Sequence, residues 1–162
     1  MTAGLLGGVA ATVAMSQFQN ALQKMTKPAQ SPQPEQPEPE NEDATVKAAA
    51  KLSRLAGYEL TPDAKKKAAP LVHYGFGTTM GAIYGLAKAK APRPVRHPRP
   101  LLSGTAFGSA LFLAAHELTV PALGLAPKPS EVAFAEHASE LTAHLVYGLT
   151  LEAVHALTLK LL

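Results

Sequence analysis

The hydrophobic positions of this chain gather in four long stretches from which charge is almost missing. Thr2 to Gln23 and Leu71 to Ala87 contain no charged residue at all. Leu101 to Pro127 contains only Glu117, and Val132 to Leu159 only Glu136, Glu140 and Glu152. A bilayer core of ~30 Å needs about 20 mainly apolar residues as a helix, and each stretch is long enough. A soluble amphipathic helix needs a charged solvent face, which the first two stretches lack. The pattern predicts four transmembrane helices, at roughly 3–23, 71–88, 101–121 and 132–160. The first should be a retained span rather than a cleaved signal. No Lys or Arg precedes Gly4, and the apolar run grades into Ser16, Gln17, Gln19 and Asn20 instead of a small-residue cleavage site.

Between the stretches the chain changes character. Residues 28–43, PAQSPQPEQPEPENED, bury too little apolar surface to offset the entropy of ordering, so 26–43 reads as a Pro/Glu-rich linker. Asp43 is placed to N-cap a helix from Ala44 to about Ala56, with Gly57 just past its end. Lys47, Lys51 and Arg54 fall on one narrow face of it, opposite Val46, Ala49, Leu52 and Leu55. Such a short basic amphipathic helix suits a lipid headgroup layer, and equally a surface helix packed on the bundle. Thr61-Pro62-Asp63 starts another helix, and Lys65 to Lys67 lead through Pro70 into the second span. Four segments result: a first span (1–25), the linker (26–43), juxtamembrane helices (44–70) and a three-helix membrane core (71–162) with a basic loop at 88–100.

Composition sharpens this picture in two places. Charged residues are 17% of the chain, below the roughly 25% of a soluble domain, because four helices have almost none. With no Cys, a disulfide scaffold, a thiolate zinc site and a cysteine nucleophile are excluded. The net charge of +3 is concentrated in loops, above all in KAKAPRPVRHPRP (88–100), which carries Arg93, Arg96 and Arg99. A juxtamembrane loop facing anionic lipid explains that run better than nucleic acid does. The positive-inside rule splits: loop 88–100 places itself and the termini in the cytoplasm, whereas Lys24, Lys27 and Lys65 to Lys67 favour the opposite side. The long first connection counts less, so the first orientation is preferred.

Two features inside the apolar stretches carry candidate chemistry. Gly77, Gly81 and Gly85 recur every four residues, repeated more weakly by Gly104 and Gly108. Small residues at that spacing let two membrane helices approach closely. They predict a helix–helix seam, with the partner in this chain, in a second copy or in a larger membrane complex. Five of the six histidines, all but His97, also lie in apolar stretches, where an ionisable residue is costly and marks a site by default. His73 is in the second span and His116-Glu117 near the end of the third. In the fourth, His137, Glu140, His144, Gly148, Leu151 and His155 share one arc, bordered by Glu152. Such an arc should face the bundle interior, another helix or a water-filled cavity, not lipid.

Interhelical polar packing is the leading reading of this arc. A proton or ion path through Glu117, His137, Glu140 and His144 is the rival. A transition metal or haem on His73, His116, His137 and His144 is a third, though no cofactor is expected. No nucleophile–base pair or nucleotide-binding loop is present, so an enzyme is not expected.

The segments HYGFGTTMGAIYG (73–85), FGSALFLAAHELTVPALGLAPKPSE (107–131) and HASELTAHLVYGLTLEAV (137–154) resemble the DUF1440, or YagU-like, family of bacterial inner-membrane proteins. MSQFQNAL (15–22) and ATVKAAAKLSRLAGYELTPDAKK (44–66) are similar too. The resemblance implies a small multi-pass protein of the cytoplasmic membrane, with an association with acid tolerance and no catalytic residues to carry over. The expectation is an all-α helix bundle of four membrane spans plus a short amphipathic helix, acting as a structural or accessory membrane protein.

Overall fold

A computed structural model describes residues 2–26, 43–91 and 100–161, and they are all-helical, with no strand. The body of the linker and Arg93, Arg96 and Arg99 lie outside the described residues. Helix α1 spans Thr2–Thr26, α2 Ala44–Leu55 and α3 Pro62–Lys90. Helix α4 starts as Pro100–Leu111, widens into a π-helical segment, Phe112–Thr119, and closes with Val120–Ala122. A 3₁₀ turn at Pro129–Glu131 precedes α5, Phe134–Leu161.

The helix ends follow their local chemistry. The Asp43 carboxylate accepts from the Thr45 N–H at 2.8 Å, and Thr61 caps α3 with Pro62 behind it. Helix α2 stops in a Schellman motif: the Tyr58 N–H bonds to the Ser53 carbonyl and the Gly57 N–H to that of Arg54. Gly57 supplies the left-handed φ of 83° that this motif requires. Helix α4 ends the same way on Gly124. The π segment arises where the Val120 N–H and the Thr119 hydroxyl both reach back five residues, to the Ala115 and Ala114 carbonyls, just before Pro121, which has no N–H to give.

Two boundaries differ from the sequence expectation. Helix α3 is one helix from the juxtamembrane segment through the second span, with Pro70 inside it. The basic loop also begins later than 88, because Lys88 and Lys90 belong to the last turns of α3. The uncharged stretch ended at Ala87, but helix propensity carries past it.

Helices α1 and α5 pack along each other, α3 packs on α1 and α4 on α5, and α3 also touches α5 through side chains. Helices α3 and α4 meet at one end, where the Tyr84 and Phe107 rings touch at a tilt of 56° with centroids 4.8 Å apart. Glycines make this packing close. On α3, Gly77 and Gly81 abut Gly8 of α1, and Gly85 abuts Gly4. A Cβ on Gly8 would stand 2.8 Å from the Gly77 carbonyl oxygen, and one on Gly81 would stand 2.5 Å from the Gly8 Cα. Gly104 and Gly108 of α4 fit against Gly148 and His144 of α5 in the same manner. Both seams are thus closed within one chain. The centre is filled by Ala11, Met15, Tyr84, Ala143, Tyr147 and Leu151.

The outside is the apolar part. Leu6, Val9 and Val13 of α1, Phe76, Ile83 and Leu86 of α3, and Leu101, Leu102 and Leu113 of α4 are exposed. One described helix, Leu101–Ala122, is by itself long and apolar enough to cross a membrane. Helices α1, α3 and α5 are longer, but as described they are not apolar enough to meet the same measure.

Candidate functional site

The polar residues collect at the two ends of the bundle, with an apolar layer between them. At the first end the π segment of α4 faces the start of α5. Its wider turn lets the adjacent residues His116 and Glu117 both reach that helix. A Glu117 carboxylate oxygen lies 2.7 Å from His137 Nδ1, and the Pro129 carbonyl lies 3.0 Å from Nε2. Both ring nitrogens therefore face acceptors, an arrangement that only the doubly protonated imidazolium satisfies. The Glu117 hydrogen bond, then the Pro129 carbonyl, raises the His137 pKa above its ordinary value. His137 stands in the first turn of α5, ahead of the apolar part of that helix.

One turn further in, Gln19 of α1 donates to both Glu140 carboxylate oxygens at 3.3 Å. His144 Nδ1 lies 2.8 Å from the backbone carbonyl of Glu140, so Nδ1 carries a proton. His116 stacks on Phe112 with ring centroids 5.4 Å apart and meets His144 edge-on at 5.8 Å. His73, on α3, is half-buried edge-on to Tyr74.

The second end holds a buried ion pair. Lys88 Nζ lies 3.1 Å from Glu152 Oε1, with the two side chains 13% and 6% exposed. Lys88 also reaches the Ser103 hydroxyl at 3.3 Å, and the Tyr84 hydroxyl donates to the other Glu152 oxygen. His155 is buried beside Tyr84, ring to ring at 5.6 Å. About two helical turns of α5 separate His144 from Glu152, and Tyr147 and Leu151, both essentially inaccessible, fill the space between. Tyr147 there donates to the Gly77 carbonyl at 2.5 Å.

The expected arc of α5 is inward over His144, Gly148, Leu151 and His155. Glu152 is fully inside rather than at the border, while His137 sits at the rim. On the basic face of α2, Lys51 is exposed and its ammonium donates to the Leu123 carbonyl at the C-terminus of α4. A cation there complements the unpaired carbonyls and the helix dipole. The four histidines of the metal reading do not form one group, and among the described residues no three His, Asp or Glu side chains converge as metal ligands.

The chain matches the family described as "Protein of unknown function (DUF1440)" over residues 23–153. It belongs to the DUF1440 family. No curated protein and no solved structure matches it. The DUF1440 match begins near the end of α1, so Gly4, Gly8 and Thr12, which complete the α3 seam, precede it. Within the matched region lie the Glu117–His137 and Lys88–Glu152 pairs, while Gln19 and His155 fall just outside it.

Sequence reasoning missed Gln19, Tyr84, Lys88, Ser103 and Tyr147 in these clusters. For two of them a signal existed. Gln19 continues the inward face of Gly4, Gly8, Thr12 and Met15. Lys88 follows Gly77, Gly81 and Tyr84 on the seam face, yet its charge assigned it to the loop.

Proposed function

We propose that this chain is a multi-pass protein of the bacterial inner membrane in which α1, α3, α4 and α5 cross the bilayer, and that it acts as a structural or accessory helix-packing subunit without enzymatic chemistry. The observation that carries the reading is the inverted distribution of polarity. Leucine, valine, isoleucine and phenylalanine cover the outside, whereas the buried polar and charged set is Thr12, His144, Glu152 and His155, with Lys88 beside them. In water this arrangement exposes apolar surface and desolvates charge. In lipid it presents hydrocarbon to hydrocarbon and turns ionisable groups to the interior. At 28 residues, α5 is about 42 Å long. It therefore exceeds a ~30 Å core, which leaves its first turn, with Glu136 and His137, in the headgroup region.

The interior favours packing over catalysis. Among the described residues no buried side-chain nitrogen or oxygen lacks a hydrogen-bond partner. Interhelical hydrogen bonds in membranes average roughly 0.6 kcal/mol, so they fix how helices meet more than they stabilise them. Because both glycine seams are used within the chain, contact with a second copy or a larger complex must use the outer faces. Alkaline extraction of native membranes tests the reading: the protein should stay in the pellet, and release into the supernatant would overturn it.

A second reading is proton or ion handling at the first end, supported by His144, whose ring meets His116 edge-on one turn from Glu140. The apolar layer of Tyr147 and Leu151 interrupts any continuous relay to Glu152, so this reading is of a half-path. Glu140→Gln and His144→Ala should then abolish pH-dependent flux into vesicles, and unchanged flux would remove it.

A further inference from the structure

Three helices bring side-chain oxygens to one nitrogen at the second end of the bundle. Around Lys88 Nζ stand Glu152 Oε1 of α5 at 3.1 Å and the Ser103 hydroxyl of α4 at 3.3 Å. The Tyr84 hydroxyl, from α3, donates to the other Glu152 oxygen and stands beside the Ser103 hydroxyl. The Tyr84 ring centroid lies 5.7 Å from the ammonium. Two carboxylate and two hydroxyl oxygens thus converge with a single formal negative charge.

Packing alone does not account for a charge pair at this place. Apolar residues of similar volume would hold the helices together as well or better. Nor is the lysine a close fit. An ammonium has three N–H donors, and among the described residues two oxygens accept from it. Both distances exceed the roughly 2.7–2.9 Å of a charge-assisted hydrogen bond. The ammonium also has a second berth close at hand. Lys88 is in the last turn of α3, where carbonyls lack intrahelical partners and the helix dipole favours a cation.

We propose that Glu152, Tyr84 and Ser103 form a binding site for a monovalent alkali cation, and that Lys88 occupies it as a tethered competitor. The donor set fixes the class. Carboxylate and hydroxyl oxygens suit hard cations over soft transition metals, and one negative charge balances one positive charge. A divalent ion would leave net charge desolvated in the interior, which is costly. When the ion enters, the Lys88 ammonium withdraws to the end of α3, so Glu152 keeps one counter-charge throughout. The site is separate from the Glu117–His137 end, and it stands whether lipid or protein covers the outside of the bundle.

Binding of radioactive sodium, and of radioactive rubidium as a potassium analogue, tests the site on the purified chain in detergent. Choline chloride holds the ionic strength constant. A competitor that fills a site about nine-tenths of the time weakens the apparent affinity about tenfold. Lys88→Ala, which opens the site, should therefore bind one ion per chain at least about tenfold more tightly than the unaltered protein. Glu152→Gln in that background should abolish saturable binding. Whichever ion binds identifies the ligand within the class. Melting temperatures supply a second arm that needs no change at Lys88. Sodium or potassium chloride should raise the melting temperature of the unaltered chain above its value in choline chloride. Ser103→Ala, which leaves the ion pair in place, should reduce that rise, and a rise it leaves unchanged overturns the proposal. So does a folded Lys88→Ala that binds neither ion, or binding that survives Glu152→Gln. If Lys88→Ala fails to fold in every salt, the melting arm decides: identical melting in choline, sodium and potassium chloride overturns the proposal.

Discussion

The Lys88–Glu152 pair shows what a single substitution does in an interior of this kind. Removing one partner of a buried ion pair strands the other charge, a loss of about 3–5 kcal/mol. Lys88→Met or Glu152→Met alone should therefore lower stability by about that much. The double variant, apolar and similar in volume, should recover most of it; thermal melts in detergent would read the cycle, and additive losses would mean that the pair is not coupled. The glycines give a second contrast on α3. Gly81→Leu places a side chain where the Gly8 backbone already stands and should collapse the α1–α3 seam, with a large fall in melting temperature. Gly75→Leu, six residues earlier, meets open space and should leave the fold intact. Both glycines were visible in the sequence, but only the seam glycines share a face with Gly4 and Gly8, and that pairing is a tertiary fact. The Lys88 pairing was hidden for a related reason: a lysine at the edge of a basic run reads as solvated until its helix face is known.

At the level of elements, the sequence pattern located the four long helices and the short α2, because the absence of charge and the capping residues Asp43 and Thr61 are local signals. It could not locate the π segment, whose hydrogen-bond register depends on Thr119 and Pro121 acting together and on what α5 presents. That segment sets the connection between α4 and α5 by bringing Glu117 onto His137. The folded state raises the His137 pKa, chiefly through Glu117 and then the Pro129 carbonyl. A raised folded-state pKa contributes stability that is fully present below the unfolded value near 6.5 and is lost as pH rises through the folded value. The melting temperature in detergent should accordingly fall between mildly acidic and alkaline pH. His137→Gln, which cannot carry the proton, should flatten that part of the profile. An undiminished pH slope in the variant would mean that another group governs it.

For the molecule as a whole, the decisive quantity is which surfaces meet water, and the helix order makes a specific forecast. On the proposed reading of four crossings, both termini lie on one side. Lys90, at the end of α3, and Lys160, at the end of α5, then share that side, because α1 and α4 run opposite to α3 and α5. Tyr58 and Ser130 emerge at the other end, beside the Glu117–His137 pair. The chain has no cysteine, so a single Cys at each of these exposed positions reports its own side without background. In sealed right-side-out vesicles an impermeant maleimide should label one pair, Lys90→Cys and Lys160→Cys or Tyr58→Cys and Ser130→Cys, and spare the other until the membrane is opened. Which pair is labelled decides between the conflicting votes of the basic segments: protected Lys90→Cys and Lys160→Cys place the termini in the cytoplasm. Cysteines at Leu6, Ile83 and Leu113, on the apolar exterior, should resist the reagent throughout, since a thiol in hydrocarbon does not ionise. Labelling at those three positions in intact vesicles would mean that the exterior faces water. The inverted polarity of the bundle would then need a protein partner, not a bilayer, to cover it.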